Sequence, residues 1–172
     1  MHDVVAFALP MKERARGFTL IEIVVVLAIV AILATIAIPS IQDRLVREQI
    51  VEAMKLAEIA KPPVAAFWTL GRALPADNAA AGLPAADKIV SNFVSSLAVE
   101  GGAIHVTFGN RANGAIRGKT LSLRPAVVED APIVPVAWVC GHASAVTKMT
   151  LKGTDRTDVA ANFLPLNCRA TS

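Results

Sequence analysis

Residues 18–38 read FTLIEIVVVLAIVAILATIAI, and this stretch decides how the rest of the chain is organised. Eighteen of its 21 residues are hydrophobic, and Glu22 is its single ionisable side chain. At about 1.5 Å of rise per residue, a helix of this length is about 31 Å long, close to a bilayer core of roughly 30 Å. The stretch therefore predicts a membrane-spanning helix.

The composition of the whole chain limits the classes of protein to which it can belong. Its 172 residues suit one domain, or a domain with an appendage, and 54% of them are hydrophobic, which excludes a disordered protein. The net charge is +3, and the basic residues are scattered singly instead of forming a basic cluster. No dedicated nucleic-acid site is indicated, because such sites concentrate Lys and Arg on one face.

The residues before the apolar stretch predict its orientation in a membrane. Lys12, Arg14 and Arg16 precede it, and cations on this side favour a cytoplasmic N-terminus with the C-terminal part exported. A cleaved secretory signal peptide is the first alternative, but the apolar run is too long and lacks a small-residue cleavage site. A plain signal anchor is the second alternative, and it leaves Glu22 unexplained.

Glu22 is the most informative residue of the stretch. A charged side chain inside a membrane helix costs roughly 2.5–3.5 kcal/mol at the helix centre, so it indicates a functional site. The alternative is that Glu22 reaches the lipid headgroups from the first helical turn. Helix geometry by itself leaves both interpretations open.

The sequence RGFTLIE at 16–22, followed by the apolar run and Pro39, resembles the N-terminal signature of type IV prepilins. Pilins share this signature with the pseudopilins of type II secretion. The resemblance implies cleavage after Gly17 by a prepilin peptidase and N-methylation of the new N-terminal residue, Phe18. It also implies that Glu22 meets the amino group of a neighbouring subunit's Phe18, and a low dielectric strengthens such a pair.

The resemblance also divides the chain. Residues 1–17 are the expected leader, although leaders of this family are usually short and basic, so Met11 is an alternative start. Residues 18–39 are the expected transmembrane and filament-core helix, and Pro39 is expected to kink it. After Ser40, apolar positions that begin with Ile41 and Leu45 recur at three- and four-residue spacing, which predicts an amphipathic helix over 40–70. Within it, Pro62-Pro63 is expected to cause a break, with a helical turn over 64–70 and a stop at Gly71.

Residues 71–172 are the expected globular domain. A turn-rich connection at 72–87 precedes segments with a period of two at 88–99, 103–108, 119–124 and 134–140. This order predicts an α+β fold, in which a long helix packs on a roughly four-stranded antiparallel sheet.

Cys140 and Cys168 are the two cysteines of the chain. In an exported domain an even pair favours a disulfide, and closing this loop would contribute about 3.5 kcal/mol in the chain-entropy model. Two buried free thiols are the alternative. The surrounding residues also resemble the C-terminal disulfide region of type IVa pilins, which implies a disulfide-closed loop there.

No catalytic or metal-binding constellation is visible. His2, His105 and His142 are far apart and have no closely spaced partner, so neither a metal nor a cofactor is expected. The resemblance implies instead a structural major pilin that forms a homopolymeric filament for adhesion, twitching motility or DNA uptake. Its implied partners are the prepilin peptidase, an assembly ATPase, an inner-membrane platform and an outer-membrane secretin.

The implied location is the inner membrane before assembly and the extracellular pilus afterwards. A pseudopilin or minor pilin is one alternative, and a single-pass membrane-anchored binding protein that never polymerises is another. Some pilins carry an O-glycan on a terminal serine, which makes Ser172 a candidate for glycosylation, but an unmodified end is the simpler expectation.

Overall fold

The computed structural model describes residues 17–170, apart from the side chains of residues 36–40. The chain divides into two compact units, Met1–Pro39 and Ser40–Ser172. The expected leader before Gly17, the alternative start at Met11 and the terminal Ser172 lie outside the described residues.

The first helix, α1, covers Leu20–Ala57. In the second unit its buried residues are spaced by four, three and four positions, which places them on one face of the helix. These residues are Val46, Ile50, Ala53 and Ala57, each at most 2% exposed. The predicted amphipathic helix is therefore present, but Ile41 and Leu45, which we assigned to its apolar face, are more than half exposed.

The second helix, α2, covers Lys61–Thr69 and starts earlier than the predicted turn at 64–70. The break lies at residues 58–60, because the two prolines are accommodated in the first turn of α2, where no backbone N–H is needed. Gly71 ends the helix, as expected, with a φ of +65°. Its N–H donates to the Trp68 carbonyl and the next N–H, of Arg72, donates to Phe67, which is a Schellman motif.

The globular part contains one antiparallel sheet, which confirms the predicted α+β fold. Its strand order is β1-β2-β3-β4, and a short fifth strand, β5, pairs with β3. The strands are β1 Val94–Glu100, β2 Ala103–Phe108, β3 Thr120–Val127, β4 Ala137–Cys140 and β5 Thr150–Leu151. Strand β5 was not predicted, because two paired residues leave no periodic pattern.

Two strand boundaries differ from the prediction for identifiable reasons. Strand β1 begins at Val94 instead of residue 88, because a short 3-10 helix occupies Ala86–Lys88. In addition, the side-chain amide of Asn110 donates hydrogen bonds to the carbonyls of Ser91 and Val94. Strand β4 begins after Pro135, which has no N–H to donate to the sheet.

The hydrophobic core lies between α1 and one face of the sheet. Val46 and Ile50 of α1 belong to the same buried cluster as alternate residues of the three longest strands. Those strand residues are Leu97, Val99, Ile104, Val106, Leu121 and Leu123. The intervening residues, among them His105 and Ser122, therefore point to the opposite face of the sheet.

The connection between α2 and the sheet is held by a buried side chain, that of Asn78. Its amide donates to the carbonyls of Pro84 and Leu97, and its carbonyl accepts the N–H of Val99 at 2.6 Å. Asn78 thereby satisfies backbone groups on the outer edge of β1, where no other strand of the described residues pairs.

Candidate functional site

The start of α1 is closed by two reciprocal hydrogen bonds between Thr19 and Glu22. The Glu22 N–H donates to Thr19 Oγ1 at 3.3 Å, and the Thr19 N–H donates to Glu22 Oε2 at 3.4 Å. This is a capping box, which satisfies two N–H groups that a helix start otherwise leaves unpaired. The carboxylate also lies at the N-terminal end of the helix, where the helix dipole is positive.

Gly17 and Phe18 precede the helix and are both exposed. A Cβ placed on Gly17 would have no atom within 4 Å, and its φ is not in the left-handed region. Nothing in the described part of this chain therefore requires glycine at this position. Phe18 is 76% exposed, so the bond between the two residues is accessible.

The surface of α1 in the first unit is apolar and uncovered. Its large aliphatic side chains between Leu20 and Leu33 are 46% to 83% exposed. A surface of this kind is unfavourable in water and marks a contact with lipid or with another protein. Within residues 17–170, none of the helices meets the length and hydropathy expected of a membrane-spanning segment.

Pro39 lies inside α1, whose backbone is helical on both sides of it. The Pro39 side chain is outside the described ones, and the residue is at the junction of the two units. The kink expected at Pro39 therefore stays a prediction.

An open groove of about 520 Å³ lies in the second unit along α1. Arg47 donates two hydrogen bonds to the Asn162 carbonyl, at 2.8 and 3.2 Å, and so fixes the C-terminal loop beside the helix. The groove is lined by Arg44, Arg47, Glu48, Val51, Glu52, Lys55 and Pro165. Its lining therefore combines the apolar Val51 and Pro165 with charges of both signs.

Cys140 and Cys168 form a disulfide, with their Cα atoms 4.5 Å apart. Cys140 ends β4 and Cys168 ends a short 3-10 helix, Leu166–Cys168. The His142 N–H donates to the Cys168 carbonyl at 3.0 Å, and Gly141 leaves no room for a Cβ beside the same carbonyl. The predicted disulfide-closed loop is thus confirmed.

The sites predicted from the sequence lie in different parts of the chain. Gly17, Phe18 and Glu22 surround the start of α1, whereas the cysteine pair closes a loop of the second unit. The partnership of Thr19 with Glu22 was missed, although the spacing Thr-x-x-Glu is a recognised signal for a capping box.

Comparisons with known proteins agree with these features. The Pilin family, described as pilins of bacterial filaments, matches residues 46–169, and the prokaryotic N-terminal methylation motif matches residues 13–38. The type IV major pilin protein PilE of Neisseria gonorrhoeae is 36% identical over 167 residues, which cover 92% of this chain and 96% of that protein.

Two further relatives come from other genera. The fimbrial protein EcpC of Eikenella corrodens is 35% identical over 163 residues, covering 92% of this chain and 94% of its own. The fimbrial protein Q of Moraxella bovis is 30% identical over 168 residues, covering 90% and 97% respectively.

These matches place the exposed apolar helix and the disulfide-closed α+β domain in a class of filament-forming structural proteins, not enzymes. The chain belongs to the pilin family, and it is a type IV pilin that serves as a structural subunit of a pilus.

Proposed function

We propose that the chain is cleaved after Gly17, methylated on Phe18 and assembled as the major subunit of its pilus through residues 18–39. The observation that carries this proposal is the uncovered apolar surface of α1, which begins directly after an accessible Gly17-Phe18 bond. Glycine at position 17 has no structural reason within the described chain, which supports recognition by an enzyme as the reason for it.

Residues 18–39 have two successive environments in this proposal. They lie in the inner membrane before assembly, with the N-terminus in the cytoplasm, and in the filament core afterwards. Both environments keep the apolar side chains away from water, so transfer between them costs little hydrophobic free energy. Pro39 gives the helix a kink at the end of this segment.

Glu22 orients an incoming subunit by pairing with the Phe18 ammonium group of a neighbour. The bond from Thr19 holds the first helical turn in place, so the carboxylate is already fixed at the helix start before the neighbour arrives. In a core without water, an unpaired carboxylate is costly, and a cation within reach relieves that cost. The pair therefore favours one axial position of the new subunit.

The remaining segments follow from this arrangement. Residues 1–17 are the leader, which starts at Met1 or at Met11. Within residues 40–70, the face of α1 that does not cover the sheet contacts neighbouring subunits. The groove beside Val51 and Pro165 supports such a lateral contact. Residues 71–172 lie on the outside of the extracellular pilus.

The assembly machinery consists of a prepilin peptidase, an assembly ATPase, an inner-membrane platform and an outer-membrane secretin. The filament serves adhesion, twitching motility or DNA uptake. Deletion of the gene, followed by assays of cell attachment, surface spreading and transformation, shows which of these functions the pilus has.

Shearing the cells tests whether this chain is the major subunit. We expect the chain to be the most abundant protein of the sheared filament fraction. A trace amount in filaments built mainly of another pilin would support a minor pilin or pseudopilin instead. Complete absence from that fraction, with all of the protein in the membrane, would support a non-polymerising anchor.

A further inference from the structure

Residues 152–158, here named the strap, cross the face of the sheet that points away from α1. The strap follows β5 and belongs to the loop that the Cys140–Cys168 disulfide closes. Its sequence, KGTDRTD, contains no apolar residue, so burial of apolar side chains does not hold it in place. Polar contacts with β1 and β3 must therefore keep it on the sheet.

One set of contacts joins the strap to the start of β3, where β4 does not reach. The Arg156 N–H donates to Ser122 Oγ at 2.8 Å, and the Ser122 N–H donates to Thr157 Oγ1 at 3.1 Å. The Asp158 N–H donates to the Thr120 carbonyl at 3.1 Å. These bonds satisfy backbone groups of β3 that would otherwise have no hydrogen-bond partner at this open edge of the sheet.

A second set of contacts is made by charged groups. The Arg156 guanidinium binds both carboxylate oxygens of Glu100 in β1, each at 2.6 Å. Asp155 accepts a hydrogen bond from His142 Nδ1 at 2.9 Å and lies 3.9 Å from the Arg124 guanidinium. Both carboxylates must be ionised for these pairs to have full strength.

The side chain of His105 points to this face and is only 4% exposed. Its Nδ1 lies 2.9 Å from Ser122 Oγ, the oxygen that also accepts the Arg156 N–H. The hydrogen of the Ser122 hydroxyl is therefore available to Nδ1. The other ring nitrogen, Nε2, is buried and has no partner among the described residues.

This environment suits a neutral imidazole and disfavours an imidazolium. With Nδ1 accepting from Ser122, the neutral ring carries its hydrogen on Nε2; a protonated ring carries a second hydrogen on Nδ1, so Ser122 would have to turn its own hydrogen away. Burial lowers the pKa of His105, and the nearby Arg156 charge lowers it further, while Glu100 and Asp155 act in the opposite direction.

We propose that the strap is an acid-sensitive latch, which opens when His105 takes up a proton. The closed strap buries the ring beside Ser122 and Arg156, whereas an open strap exposes the ring to water. Protons therefore bind preferentially to the open form, and by linkage they shift the equilibrium toward it.

Burial of the ring sets the direction of the effect, and the charged groups around the ring change its size. The ones that face it are Glu100 from β1 and Asp155 and Arg156 from the strap, and Arg124 and His142 contact Asp155 in turn. The histidine of an open strap titrates near its ordinary pKa of about 6.5. The closed strap thus begins to lose stability as the pH falls below that value, and the loss levels off below the lowered pKa.

Hydrogen exchange of the full chain in detergent solution, followed by mass spectrometry, tests the latch. Protection factors of peptides covering 152–158 are compared between pH 7.5 and pH 5, with peptides of β2 as the internal reference. We expect strap protection to fall several-fold at pH 5 while the reference remains constant. Unchanged strap protection would overturn the proposal.

Two variants identify the titrating group. His105→Asn keeps a polar atom near the Nδ1 position but does not titrate, so its strap protection should be the same at both pH values. His142→Gln removes the other histidine that touches the strap and should retain the acid response. Loss of the response in His142→Gln, or its persistence in His105→Asn, would contradict a latch operated by His105.

A direct titration of the wild-type ring by NMR covers the case in which His105→Asn fails to fold. The latch predicts that the His105 ring signals titrate together with the amide signals of Arg156 and Thr157. Titration of the ring at an ordinary pKa, with these amides unaffected, would overturn the proposal.

Discussion

Thr19 and Glu22 hydrogen-bond to each other's backbone N–H across the first turn of α1, at 3.3 and 3.4 Å. Glu22 thus has a hydrogen-bond partner within its own chain. Its negative charge, in contrast, is the feature that we assign to pairing with the Phe18 ammonium group of a neighbouring subunit. The cap and the charge are separable, because glutamine also serves at this position of a capping box but carries no charge.

Replacement of Glu22 therefore distinguishes the two roles. We expect Glu22→Gln and Glu22→Val to leave normal amounts of pilin in the membrane but to reduce pili on the cell surface to a small fraction. The reason is that both variants lose the charge that pairs with a neighbour's Phe18, while only the second loses the cap. Electron microscopy and membrane immunoblots provide the measurement.

Thr19→Ser is the matched control, since serine preserves the capping hydroxyl, and its piliation should be normal. Normal piliation of Glu22→Gln would show that the cap, not the charge, is what assembly needs.

The disulfide should be a major source of stability for the C-terminal loop. Replacing both Cys140 and Cys168 by serine should lower the free energy of unfolding by about 2–5 kcal/mol, because the open loop gains entropy in the unfolded chain. Urea denaturation of the full chain in detergent measures the change.

A reducing agent should lower the stability of the wild type to that of the double variant and leave the variant unchanged. Equal stability of wild type and variant before reduction would refute this role of the disulfide.

Asn78 offers a test of the edge of β1. Asn78→Ala leaves the Leu97 carbonyl and the Val99 N–H without their partner and should cost about 1–3 kcal/mol of unfolding free energy. Asn92→Ala, at an exposed asparagine of the same connection, should change stability by less than about 0.5 kcal/mol. Similar effects of the two substitutions would contradict the account of this edge.

Asp155 predicts a second pH dependence, in a more acidic range than that of His105. Burial by itself would raise the pKa of this carboxyl, but hydrogen bonds from Thr157 and His142 and the charge of Arg124 outweigh burial and lower the pKa. The ionised form is therefore favoured in the folded state. Its contribution is complete above the unfolded pKa of about 3.9 and is lost as the pH falls through the lowered value.

We expect Asp155→Asn to be less stable than the wild type at pH 7 and to lose less stability between pH 5 and pH 2.5. Asp87→Asn is the control, since Asp87 is exposed and its curve should parallel that of the wild type. A curve for Asp155→Asn that runs parallel to the wild type across this range would contradict the assignment.

The features that the sequence predicted well are those encoded by local patterns. The helical period of α1, the strand Ala103–Phe108 and the stop at Gly71 depend on neighbouring residues, and the structure contains all three. The disulfide followed from two cysteines in a domain expected to be exported.

The features that were missed depend on distant partners. The strap is polar and aperiodic, and its structure comes from Thr120 and Ser122, more than thirty residues away. Strand β1 could not be bounded from its own pattern, because Asn110 from the following loop holds the chain just before it. The burial of His105 could likewise not be predicted, because it depends on the strap, which lies far from His105 in the sequence.

The most direct test of the central claim is the intact mass of the protein recovered from sheared pili. Processing after Gly17 with methylation of Phe18 predicts the mass of residues 18–172, less the two hydrogens of the disulfide, plus the CH2 that is added when a methyl group replaces one hydrogen. A mass that still includes residues upstream of Phe18 would contradict the account, because an uncleaved chain has no free Phe18 amino group for Glu22 to meet.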